Sequence, residues 1–107
     1  MATNNNRVQL TDGSGRWFDI TKATEFDEGT RWDGSNHVSL VAGGKFDHEK
    51  LYRTAGGRWI LNHWSQWQGS RETYEEISND EAARWLSICD LDPHPACADE
   101  FAALEVA

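Results

Sequence analysis

The chain has 107 residues, with eighteen acidic against ten basic side chains and a formal net charge of -8. That length fits one domain with a modest core of its own. The acidic surplus argues against gripping nucleic acid or an anionic membrane, which takes clustered lysine and arginine, and no apolar run approaches the ~20 residues that span a bilayer.

Residues 1–6, MATNNN, carry no basic segment followed by an apolar one. They are not a secretory signal and read as a disordered leader before a single domain over 7–107, with the cytoplasm as the expected location. Arg7 to Leu10 reads as a first strand, and Thr11-Asp12-Gly13-Ser14-Gly15 as a turn. Arg16 to Ile20 is a second strand, with Phe18 and Ile20 on one side. Thr21 to Gly34 stays open, either an irregular strand or an excursion ending in the Asp33-Gly34 turn. Asn36 to Ala42 alternates Val38, Leu40 and Ala42 against His37, Ser39 and Val41, and Gly43-Gly44 breaks this strand.

The stretch Leu51 to Ile77 holds three of the six tryptophans and both tyrosines. Two apolar-rich runs, His48 to Thr54 and Arg58 to Ser65, flank Ala55-Gly56-Gly57, which predicts a hairpin. In the second run Trp59, Leu61 and His63 alternate with Ile60, Asn62 and Trp64. Apolar bulk on both sides suits a central strand covered on both faces, or one with a face at an interface. Glu72 to Ile77 is rich in carboxylates and reads as an edge strand.

Ser78 predicts a helix N-cap, with Glu81 completing a capping box. Ala82, Trp85, Leu86 and Cys89 then recur at helical spacing and predict an apolar face docked on the sheet. This helix should stop near Asp90 or Leu91. Pro95 suits the first turn of a second helix running to about Glu105. Strands first and helices last, with connections too short for crossovers, predict an α+β domain: an antiparallel β-meander sheet of about five strands with two C-terminal helices packed on it.

Leu51-Tyr52-Arg53-Thr54, Gly57-Arg58-Trp59, Trp64 to Gly69, Tyr74 to Ile77 and Glu81 to Leu86 form a specific string. Over roughly residues 48 to 88 the chain resembles a group of small uncharacterised bacterial proteins, some of them on mobile elements. The resemblance brings no activity and implies no catalytic residues.

Chemistry is sparse. His37, His48, His63 and His94 lie far apart and show no metal-ligand spacing, although folding could bring them to acidic neighbours such as Asp47 and Glu49. No metal and no cofactor are expected. No carboxylate stands in an apolar setting, and no nucleophile elbow or phosphate loop is present. Cys89 and Cys97 read as reduced thiols packed as small apolar groups, with a disulfide between the helices as the other option. Ten acidic residues against Arg84 alone from Glu72 to Ala107 suit either a solvated face or a basic partner.

The candidate binding residues are Trp64, Gln66, Trp67 and Gln68, two indoles interleaved with amides. They suit stacking on a sugar, base or peptide ring, or a protein-protein hot spot. The structural alternative makes Trp64 core and Trp67 the cover of a hairpin end. The expected function is that of a non-enzymatic binding or interaction protein. Its partner would be another protein or a second copy in a homodimer, with neither nucleic acid nor membrane involved. The alternative is a small-molecule or carbohydrate-binding module, or a small enzyme, at Trp64 to Gln68.

Overall fold

The computed structural model describes residues 6–32, 37–39, 47–66 and 71–106. The elements follow in the order β1 (Arg7–Gln9), β2 (Trp17–Asp19), β3 (Thr24–Asp27), β4 (Thr30–Trp32), β5 (His37–Ser39), β6 (Asp47–Arg53), β7 (Trp59–Ser65), β8 (Thr73–Ile77), α1 (Asn79–Ile88) and α2 (Ala98–Ala102). Short 3-10 turns lie at Ile20–Lys22 and Pro95–Cys97.

The α+β class is as expected, with antiparallel strands first and two helices last. The principal sheet has four strands in the order β3-β6-β7-β8, rather than five. The two N-terminal strands pair with each other, Val8 opposite Phe18, and stack on a face of the sheet instead of extending it. The β4 and β5 strands form a separate ladder. The place beyond β6 goes to β3, from the segment whose conformation the sequence left open. Its predicted closing turn at Asp33-Gly34 lies outside the described residues, as do Gly43-Gly44 and all of the expected leader except Asn6.

The β6–β7 hairpin forms where the glycine pair predicted it. Gly57 has φ +86°, a left-handed conformation that a side chain disfavours. Around it the Thr54 N–H donates to the Arg58 carbonyl at 2.9 Å, and the Thr54 hydroxyl accepts the Arg58 N–H at 3.0 Å. This closure fixes the register, with Leu51 opposite Leu61 and Tyr52 opposite Ile60.

Strand alternation then sends β7 into two cores. Trp59 joins Leu51, Ala82, Ala83, Trp85, Leu86, Cys89 and Cys97 beneath the helices. Ile60 joins Leu10, Phe18 and Tyr52 on the opposite face, under β1 and β2. The strand is central and covered on both faces, the first of the two readings its apolar pattern allowed. Leu51 and Leu86 have no exposed surface, and full burial of each contributes roughly 1.5–3 kcal/mol.

Ser78 caps α1 by accepting the Glu81 N–H at 3.2 Å, and the Glu81 carboxylate reaches back to the Ser78 N–H, so the predicted capping box is present. The helix ends at Cys89, and Asp90 turns the chain with φ +58°. Pro95 opens a 3-10 turn rather than the helix itself, and α2 stops at Ala102, short of Glu105. Its residues Ala98 and Ala102 are exposed, so Phe101 is the main apolar side chain that ties α2 to the core. No helix among the described residues is long and apolar enough to cross a membrane.

Candidate functional site

The turn between β1 and β2 reaches across the sheet to the middle of β8. Asp12 shapes that turn by accepting the Ser14 N–H at 2.9 Å. Hydrogen bonds from Ser14, first from its side chain and then from its backbone, hold the Asp12 carboxyl down to about 2, with Arg16 assisting. Arg16 in turn bonds Asp12 at 3.2 Å, the Ser14 hydroxyl at 3.3 Å and Glu76 Oε1 at 2.8 Å. The second Glu76 oxygen, Oε2, accepts from Arg58 Nη1 at 2.9 Å. One carboxylate therefore bridges two guanidinium groups from different hairpins. These bonds, Arg16 first and Arg58 next, hold Glu76 below the ordinary carboxylate range.

Beneath this bracket is an open cleft of about 480 Å³, within the range of ligand sites. Its floor is apolar, formed by Leu10, Phe18 and Ile60, each of them buried. Phe18 is wedged near Tyr52 and Tyr74, with ring centroids at 5.6 and 6.1 Å. The rim carries Arg16, Arg58 and Trp17. Trp17 is 49% exposed, an unusual state for an indole, and the Arg7 guanidinium lies 4.5 Å over its ring.

Of the residues predicted for binding, Trp64 lies elsewhere. Trp64 is near the far end of β7 from this cleft. Ile60 and Trp64 share a face but stand about 13 Å apart along the strand. Trp64 is half-buried and stacks on His48, its cross-strand partner, at 5.5 Å between centroids. Gln66 is exposed, and Trp67 and Gln68 lie outside the described residues.

Two of the histidines do meet carboxylates. His48 Nδ1 lies 2.8 Å from Glu28, and His63 Nδ1 lies 3.3 Å from Glu49, whose other oxygen accepts from the Trp85 indole at 3.2 Å. His48 Nε2 is buried with no hydrogen-bond partner among the described residues. These contacts are pairs: among the described residues no group of three or more His, Cys, Asp or Glu side chains could hold a metal ion. His94 serves as a cap, its Nδ1 accepting the Ala96 N–H at 3.0 Å. Cys89 and Cys97 are buried free thiols, both in the core beneath the helices. Burial raises the pKa of each, away from a reactive thiolate.

Sequence reasoning passed over Arg16, Trp17 and Glu76 as members of a site, and treated Arg58 as the start of a strand and a structural stacking partner for the tryptophans. A signal was present. Arg-Trp dipeptides occur at 16–17, 31–32, 58–59 and 84–85. Trp59 and Trp85 are buried, whereas Trp17 faces outward. Comparison with known proteins found no matching family model, no matching curated protein and no matching solved structure.

Proposed function

We propose that the chain is a small non-enzymatic interaction protein, acting from the cytoplasm, whose recognition surface is the cleft between the β1–β2 turn and the β6–β7 hairpin. The observation that carries this reading is Trp17. A half-exposed indole, backed by one arginine and flanked by two more above an apolar floor, has the composition of a protein-protein hot spot. The open form of the cleft suits a side chain presented by a partner better than a small ligand that must be enclosed. A symmetric homodimer would need a surface that complements itself, and a concave cleft with a cationic rim does not do so alone. This favours a different protein as partner.

The test is affinity capture with the wild-type chain, with Trp17→Ala and with Arg84→Glu as a control on the exposed face of α1, alongside sedimentation velocity across a concentration series. The expected result is a partner retained by wild type and by Arg84→Glu but lost by Trp17→Ala. A partner held equally by all three would place recognition elsewhere, with Trp64 to Gln68 the next surface to test. Concentration-dependent dimerisation abolished by Trp17→Ala would make the partner a second copy.

A further inference from the structure

Resting on the interaction reading above, we infer that the cleft receives an extended segment of a partner protein bearing an apolar side chain and, two residues away, a carboxylate. The floor of Leu10, Phe18 and Ile60 calls for an apolar group, because a polar one entering there would lose its hydration without a matching bond. The call for a carboxylate comes from the two arginines, which are not equivalent. Arg16 is engaged by Glu76, Asp12 and Ser14. Arg58 uses one of its five N–H donors on Glu76, and its side chain is 68% exposed on the rim. Its other donors can form the paired bonds that a carboxylate accepts.

The spacing follows from the strand. Arg58 immediately precedes β7 and Ile60 is its second residue, two positions on and about 6.5 Å away. An extended peptide lying along them presents its own side chains i and i+2 on one face with the same repeat, so an apolar group over Ile60 places an acidic one at Arg58.

Two probes test this: N-acetyl-Phe-Ala-Glu-amide and its glutamine counterpart, each titrated into the full isotope-labelled chain while the Trp17 indole and Arg58 side-chain N–H signals are followed. The glutamate peptide should shift both signals and bind about three- to tenfold more tightly at low salt, a range set by the exposure of Arg58. That preference should vanish in Arg58→Gln and shrink toward parity at about 0.5 M salt. Equal affinity for the two peptides, shifts confined to other residues, or a preference that survives Arg58→Gln would each overturn the inference. So would tighter binding of free benzoate, which would mark the cleft as a small-molecule site. If capture of a partner depends on Trp17 while neither peptide binds, the inference fails and the interaction reading stands. If Trp17→Ala changes no capture either, both fail.

Discussion

Arg16 and Glu76 stand sixty residues apart in the chain and close an ion pair of 2.8 Å. The pair fastens the β1–β2 turn to β8 and builds one wall of the cleft. A carboxyl held below its ordinary value of 4.5 stabilises the fold in full above that value, and the contribution is lost as pH falls through the folded value. Glu76→Gln should therefore lower the urea midpoint at neutral pH. The gap from wild type should close as the pH drops below the usual carboxylate range. Denaturant titrations of both proteins over a pH series measure this directly.

The cap at Ser78 allows a cleaner energetic test. Ser78→Ala removes the acceptor for the Glu81 N–H and one half of the capping box. The expected loss is about 1 kcal/mol, and Ser78→Gly should lose roughly a few tenths of that, since glycine leaves the N-terminal amides open to water. Equilibrium unfolding gives the magnitude, and amide exchange should place the earliest opening in the first turn of α1.

His94 predicts a second pH dependence at a higher range. Burial, and then the nearby Arg53, push its pKa below 6.5. The ring meets Trp59 edge-on at 5.2 Å and Phe26 at 6.3 Å, and its Nδ1 must stay unprotonated to accept the Ala96 N–H. Stability from this group is complete above pH 6.5 and lost as pH falls through the lowered folded value. His94→Asn keeps an acceptor at the cap without the titration. It should flatten the stability profile below pH 6.5 relative to wild type, as thermal melts across that interval would show.

The two thiols should behave as interior groups. Cys89 is 4% exposed and Cys97 has no exposed surface. In the native protein at mild alkaline pH both should alkylate slowly, at a rate set by opening of the C-terminal helices, and both should react at once in denaturant. Mass spectrometry after timed iodoacetamide quenching separates the two sites. Fast labelling of Cys97 alone would show that the segment from Pro95 onward opens by itself.

The parts of the fold legible in sequence were those written in local periodicity. The alternation around Trp59 and Ile60 announced a strand with apolar bulk on both sides, and Ser78 with Glu81 announced the helix start. Thr24 to Asp27 was not legible, because a strand reading TEFD offers one apolar residue, Phe26, and gains its place by pairing with β6. The cleft was still less so. Arg16, Arg58 and Glu76 come from three segments and are assembled by the docking of Phe18 between Tyr52 and Tyr74, a long-range event with no period in the sequence.

The attachment of β1 and β2 also bears on the order in which the chain acquires its structure. β6, β7, β8 and α1 are neighbours in sequence as well as in space, so their contacts close short loops. The N-terminal hairpin instead docks through Thr11 on Tyr74 and Arg16 on Glu76, across separations of 63 and 60 residues. Closing such distances carries a larger entropy loss, and topology of this kind sets the slow steps of folding. On that ground docking of the hairpin is expected to follow closure of the β6–β8 meander, an order that pulse-labelled amide exchange during refolding would check. Because that hairpin supplies Leu10, Arg16, Trp17 and Phe18 to the cleft, binding there would report on completion: a chain still maturing would present its central strands without being able to engage a partner.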